Sequence, residues 1–288
     1  MKLNPPEQGI NTVRHLAHLL EEKPDVLEDL ASNFNRYYRP GKKVIKEKKR
    51  LIEKTLSDLK RLQKNIKNKL LELYSLPKTI FGGVKERGLL DNAKLHTNKP
   101  IVVTIDIKNC FPSTSHKQVF SIFREYYKCS TEVSSLLTRL TTYRGHVPQG
   151  VPTSTYLVHM ALLSLHDELK IYCEKNGLAL SFWVDDITFS GESADKHVGS
   201  VIKTVMKYGY SVRRKKIKVM RSNHPQIVAG ILVNKKPNLP KEKRKAYAKT
   251  AQMSRSQTEL KKTSDGQIAH AGYINKKLGD NLKSLRSA

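Results

Sequence analysis

The stretch Phe182-Trp183-Val184-Asp185-Asp186-Ile187-Thr188-Phe189 sets two adjacent carboxylates between two apolar runs. Neighbours in a strand point to opposite faces, so one acid of such a pair would face the core. At the tip of a tight hairpin both acids reach a shared cation. Asp also favours turns for its own hydrogen bonding, so the pair alone reads first as turn chemistry. A second apolar run, Ile101-Val102-Val103-Thr104-Ile105, ends on Asp106. Three carboxylates delivered from strand ends suit two Mg²⁺ ions about 3.5–4 Å apart, the arrangement of two-metal phosphoryl transfer. Hard oxygen donors match Mg²⁺, which takes one or two carboxylates plus substrate phosphates.

Charge points to the partner. The 288 residues carry 53 Lys+Arg against 26 Asp+Glu, a formal net charge of +27. Self-repulsion at that charge calls for a polyanion, and nucleic acid is the default. No apolar run approaches the roughly 20 residues of a membrane span, which argues against a membrane partner. Met1-Lys2-Leu3-Asn4-Pro5-Pro6 lacks the apolar segment of a signal peptide. Cys110, Cys129 and Cys173 are odd in number and widely spaced, unlike a disulfide framework or a CxxC zinc site. A reducing, cytoplasmic location is the expectation.

The periodicities divide the chain. Leu16, Leu19 and Leu20, then Val26, Leu27, Leu30 and Phe34, read as a small helical unit interrupted at Pro24. Residues 40–70 hold twelve Lys/Arg against three acids, and Leu56, Leu59, Leu62 and Ile66 mark an amphipathic helix with a positive outer face. Residues 101–107 read as a strand, 119–127 and 133–140 as helices, and 156–172 as one long helix. Residues 178–190 read as the hairpin bearing the acid pair and 196–208 as a helix. Strands are expected near 211–219 and 227–233. Residues 235–288 carry fourteen Lys/Arg against four acids and read as a helical lobe. The fold class is α+β, and the element order is similar to a split βαβ unit with an antiparallel sheet.

Three motifs in collinear order now carry a resemblance. Ile105-Asp106-Ile107-Lys108-Asn109-Cys110-Phe111-Pro112-Ser113 is similar to the first catalytic motif of reverse transcriptases. Pro148-Gln149-Gly150-Val151-Pro152-Thr153-Ser154 resembles their PQGxPxS loop, and Trp183-Val184-Asp185-Asp186 stands where they carry YxDD. Asn92-Ala93-Lys94-Leu95-His96 resembles the NAxxH motif of bacterial retron enzymes. Val228-Ala229-Gly230 stands where those carry VTG. Trp183 replaces the usual Tyr, Ala229 the usual Thr, and Thr55 and Thr155 occupy spots where Pro is common.

The resemblance implies a right-hand polymerase. Its parts would be an N-terminal helical segment at 1–39, fingers at 40–100, a palm at 101–234 and a thumb at 235–288. It implies RNA-templated DNA synthesis from dNTPs. Asp106, Asp185 and Asp186 would hold two Mg²⁺ ions, with the Ile107 carbonyl as a further oxygen and Asp185 as the bridging ligand. Phe111 would be the gate that rejects a 2′-OH. Gln149 and Gly150 would approach nucleotide and template, and Arg50 would clamp the triphosphate, its planar fork suiting phosphate. Lys216 is either the lysine that protonates pyrophosphate or part of a backbone-binding patch, Arg213-Arg214-Lys215-Lys216. Asn92, His96, Val228 and Gly230 would face the RNA, with packing or RNA-scaffold contact ahead of any catalytic role for His96, since a lone His is more often structural. Tyr247, His270 and Tyr273 suit base stacking or helix packing alike.

A retron enzyme would prime from its own structured noncoding RNA, make a branched RNA–DNA product and serve antiphage defence beside a separate effector protein. The alternatives are another defence-associated or intron-type reverse transcriptase, and a silent RNA-binding palm. Retention of all three aspartates argues against the last.

Overall fold

The computed structural model describes residues 9–45 and 48–287, with the side chains of residues 42–51 and 258 outside the description. The chain begins with helices α1 (Val13–Leu20), α2 (Pro24–Ser32) and α3 (Phe34–Tyr37). A hairpin of β1 (Tyr38–Ile45) and β2 (Lys48–Thr55) precedes α4 (Ser57–Lys69), β3 (Ile80–Phe81), α5 (Leu89–Lys94) and β4 (Ile101–Asp106). Then come α6 (Cys110–Ser113), α7 (His116–Glu125), α8 (Thr131–Thr141), α9 (Ser154–Ala161) and α10 (Leu163–Lys175). β5 (Ala179–Trp183), β6 (Asp186–Gly191), α11 (Val198–Lys207), β7 (Lys218–Arg221), β8 (Ile227–Val228) and β9 (Ile231–Leu232) follow. Helices α12 (Lys241–Met253), α13 (Lys261–Ile274) and α14 (Lys276–Ser287) close the chain.

The chain divides into two compact units. One takes the chain up to Gly83 together with Ile107–Asp167; the other takes Val84–Asp106 and the chain from Glu168 onward.

The first unit is mainly helical. Pro24 does not break a helix but opens one, at the first-turn position where its missing N–H costs nothing. Helix α4 buries Leu59, Leu62 and Ile66 as its period demands, while Leu56 lies just outside it and is exposed. The β1–β2 hairpin is an element that the sequence pattern does not announce. Its register runs from Tyr38 opposite Thr55 to Ile45 opposite Lys48. The hairpin base is tied down by Gln63 of α4. Its Nε2 donates to Leu140 O and Tyr38 Oη, and its Oε1 accepts from Thr55 Oγ1, at 2.9, 3.2 and 3.2 Å. Tyr38 also stacks on Tyr143, with ring centroids 4.3 Å apart.

The expected long helix at 156–172 is two helices, broken at Leu162. The predicted inward set nevertheless holds, since Leu157, Met160, Leu163, Leu165 and Leu169 are all buried.

In the second unit, strands run β5-β6-β4-β7 with every pairing antiparallel. β4 reads as one continuous apolar run because both of its faces are buried. The strand expected at 211–219 is shorter and later. Arg214–Lys216 form a 3₁₀ turn, and β7 begins only at Lys218. Four adjacent cations, Arg213-Arg214-Lys215-Lys216, favour a solvated turn over a ladder with stacked like charges. Val102, Val228, Ile231, Val233, Leu239, Ile268, Ala271 and Leu282 join β4, the β8–β9 hairpin and α13–α14 in one core.

Candidate active site

The acid pair straddles a two-residue turn. Trp183 pairs with Asp186 across β5–β6, so Val184 and Asp185 form the loop and Asp186 opens the return strand. Val184 holds φ 56°. For a β-branched residue that conformation is an outlier, and such strain concentrates at functional sites. Asp106, the last residue of β4, pairs with Asp186 across the other edge of β6. One register therefore brings Asp106, Asp185 and Asp186 to the same end of the sheet.

Their electrostatics follow from crowding. Burial and the neighbouring Asp185 and Asp106 push the Asp186 carboxyl up to about 6. Burial, and then Asp106, raise Asp185 as well. Asp106 is countered by two cations, one in the 3₁₀ turn and one just before it. Lys216 Nζ donates to Asp106 Oδ2 at 2.5 Å, and Arg213 Nε lies 3.1 Å from Oδ1. The Arg213 backbone N–H also donates to the Asp106 carbonyl at 2.9 Å. Lys216 thus lies in the site, and Arg213 joins it. The basic run signals the pair, although spacing alone does not single out Arg213.

Among the described residues no group of three His, Cys, Asp or Glu side chains is drawn together tightly enough to enclose a metal. The donor set still fits a hard divalent cation. It is all carboxylate, Asp106 Oδ1 is buried without an aligned hydrogen bond, and burial together with neighbouring carboxylates raises both acids of the pair.

The residues expected to face RNA divide. Asn92 and His96 have no exposed surface, and neither has Val228. None of the three can touch an RNA, which corrects the reading that the resemblance implies. His96 is instead clamped against one face of the sheet, with Nδ1 2.8 Å from Ser190 Oγ and Nε2 2.8 Å from Ser181 Oγ. Burial, and then Lys99, push its pKa down to about 3, so the ring is neutral. Val228 pairs with Ile231, and Ala229 and Gly230 make the intervening turn, with φ 47° and 86°. Two positive φ angles are what a type I′ hairpin turn requires. Gly230 is exposed. Tyr247 and His270 are in contact with each other, Oη to Nδ1 at 3.1 Å, which favours packing for both.

The first unit holds the other candidates. Phe111 lies on α6 and is half-buried, not a core side chain. Ile107 is fully buried. Gln149 and Gly150 sit in the loop before α9, where Gly150 adopts φ 100°. A Cβ there would lie 2.7 Å from Ile52 Cγ2, so both conformation and space require glycine. Arg50 pairs in register with Lys43, and its side chain lies outside the described residues.

An antiparallel sheet presenting carboxylates from a hairpin tip and a neighbouring strand end, with flanking helices, is the right-hand polymerase fold. A solved telomerase from Candida albicans, in complex with a TWJ fragment of telomeric RNA, has a similar fold. The TM-score is 0.51 at 12% identity, covering 80% of this chain and 55% of that one. The profile of the reverse transcriptase (RNA-dependent DNA polymerase) family matches residues 40–258, and the chain belongs to that family. It is 37% identical over 160 residues to the retron Se72 reverse transcriptase of Salmonella heidelberg, covering 55% of this chain and 41% of that protein. It is 27% identical over 214 residues to the retron Ec86 reverse transcriptase of Escherichia coli, covering 73% and 67%. The chain thus spans less than half of the first relative and two thirds of the second. Among the described residues no helix is long and apolar enough to cross a membrane.

Proposed function

We propose that this chain is a retron-type RNA-directed DNA polymerase, extending a DNA strand from dNTPs on a structured noncoding RNA that serves as template and primer. The observation that carries the reading is the triad Asp106, Asp185 and Asp186 at one end of a sheet, in a chain whose relatives are retron reverse transcriptases. The three aspartates, with the Ile107 carbonyl, would hold two Mg²⁺ ions. When bound, the ions lower the pKa of the attacking hydroxyl and offset charge on pyrophosphate.

The remaining roles belong to the protein. Lys216 would give a proton to the departing pyrophosphate, a role that its 2.5 Å contact with Asp106 supports. Arg50 binds the triphosphate, Gln149 and Gly150 seat the nucleotide, and Phe111 excludes a 2′-OH. On this reading the fingers are residues 40–100, the palm 101–234 and the thumb 235–288, and the helices α1–α3 belong to the N-terminal segment 1–39 that precedes them. Lys60, Lys64 and Lys67 line an open groove with Gly150, Val151 and Pro152, a surface suited to a phosphate backbone. Gly230, exposed at its turn, remains a candidate RNA contact. The product would be a branched RNA–DNA hybrid made in the cytoplasm, serving antiphage defence with a separate effector protein.

The test is to purify the protein from its native host and sequence the nucleic acid that accompanies it. One dominant RNA joined to DNA is expected, with a linkage that resists proteinase and yields to ribonuclease and debranching. A heterogeneous RNA mixture without attached DNA would overturn the retron reading. RNA affinity should fall about 10³–10⁵-fold between 50 and 200 mM salt, the cost of roughly six to ten phosphate contacts.

A further inference from the structure

Glu53 is an acidic residue in the most basic stretch of the chain, and it is buried, with 3% of its surface exposed. A buried carboxylate is retained only where it is hydrogen-bonded or paired. Among the described residues its hydrogen-bond partners lie in the loop that leads into α9. Glu53 Oε2 accepts from the Gln149 backbone N–H at 3.3 Å and lies 3.2 Å from His146 Nε2. A carboxylate accepts, so Nε2 is the donor there. The Glu53 backbone N–H in turn donates to the Gln149 carbonyl at 2.8 Å. Both backbone polar groups of Gln149 are therefore held by one residue of β2.

The neighbours reinforce the join. Ile52 packs where Gly150 leaves no room for a Cβ. His146 is anchored by reciprocal backbone hydrogen bonds with Tyr143, whose ring stacks on Tyr38 at the hairpin base. The β1–β2 hairpin and the 146–150 loop are fastened at two places.

We infer that Glu53 is a positioning residue for nucleotide binding, which holds the Gln149–Gly150 loop and the β1–β2 hairpin as one body. This rests on the polymerase reading. Arg50 on β2 and Gln149–Gly150 on the loop would grip the same nucleotide, and their relative placement decides how well it is seated. Where the hairpin and the loop are not held together, the cost of ordering them falls on nucleotide binding and weakens it. Glu53 itself touches no reacting atom.

The experiment compares Glu53→Ala, Glu53→Gln and His146→Gln with the parent chain. Amide hydrogen exchange at Gln149 reads the join without any activity. Glu53→Ala should expose that amide, and Glu53→Gln, which keeps an acceptor oxygen, should restore protection. On an RNA template, Glu53→Ala should raise the dNTP KM about tenfold, the effect of removing one charge-assisted hydrogen bond, with kcat changed much less. Glu53→Gln should recover most of it, and His146→Gln should fall between. Unchanged protection at Gln149 in Glu53→Ala overturns the join. A lower kcat at constant KM marks a merely structural role and overturns the positioning inference. A parent chain that incorporates no dNTP overturns the polymerase reading instead, and the exchange result still decides whether Glu53 holds the loop.

Discussion

Asp106 and Asp186 are the last register pair of the β4–β6 ladder. Directly opposed residues in an antiparallel pair have Cβ atoms about 4.5–5.5 Å apart, and like charges placed there destabilise the sheet. Asp185 adds a third carboxyl from the turn one residue away. The fold tolerates this because Lys216 and Arg213 answer Asp106 from a separate loop, while the two hairpin acids keep raised pKa values. A site that stability alone would dissolve is what a cation-dependent reaction needs.

Asp185→Asn should abolish dNTP incorporation on an RNA template and leave RNA affinity within about twofold. The substitution removes a carboxylate and none of the basic surface. In chelator the variant should melt no lower than the parent, because one repulsive charge is gone. Parent-like extension in Mg²⁺ would remove Asp185 from the site.

Phe111→Ala should relax sugar selection. The residue lies five positions after Asp106, on a short helix, and is half-buried. The quantity to measure is the ratio of rNTP to dNTP kcat/KM, since specificity is that ratio and not a rate. A folded variant with an unchanged ratio would return Phe111 to a packing role.

The parts legible in the sequence share a physical property: their signal is local. β4 and the β5–β6 hairpin declare themselves by apolar runs, and the helices by the period of Leu59, Leu62 and Ile66. The acid triad follows, because two strand ends and one turn place it. The β1–β2 hairpin escapes because cations, Pro40 and Gly41 break up its strands, with no period-two apolar pattern to mark a face. His96 escapes because its partners, Ser181 and Ser190, lie 85 and 94 residues away. Glu53 escapes for the same reason: an isolated acid in a basic run reads as solvated until the loop 93 and 96 residues later folds over it.

Gly279→Ala should destabilise the C-terminal helices. A Cβ at Gly279 would lie 2.5 Å from Gly272 Cα and 2.8 Å from Gly272 N, so α13 and α14 meet backbone to backbone. Backbone cannot swing aside as a side chain does, and overpacking of this kind costs about 1–3 kcal/mol. Helix propensity works the other way, favouring Ala over Gly by roughly 1 kcal/mol. A lower urea midpoint is the expected net result, and a higher one would show that the helices separate without cost.

His96 sets a pH dependence of folding. Its ring is buried between two serine hydroxyls, and burial lowers its pKa from the ordinary 6.5 to about 3. In the unfolded chain the ring takes up a proton near pH 6.5; in the folded chain it resists until about pH 3. The unfolded state therefore binds more protons throughout that window. The stability that the neutral ring provides is complete above pH 6.5 and drains away as pH falls toward 3, at up to about 1.4 kcal/mol per pH unit. His96→Gln cannot titrate. It should be less stable than the parent at pH 7.5, because it fits the two serines less well, and the deficit should shrink at pH 5. Urea midpoints of both proteins at the two pH values decide it. A deficit of equal size at both would mean that His96 is not held neutral in the fold.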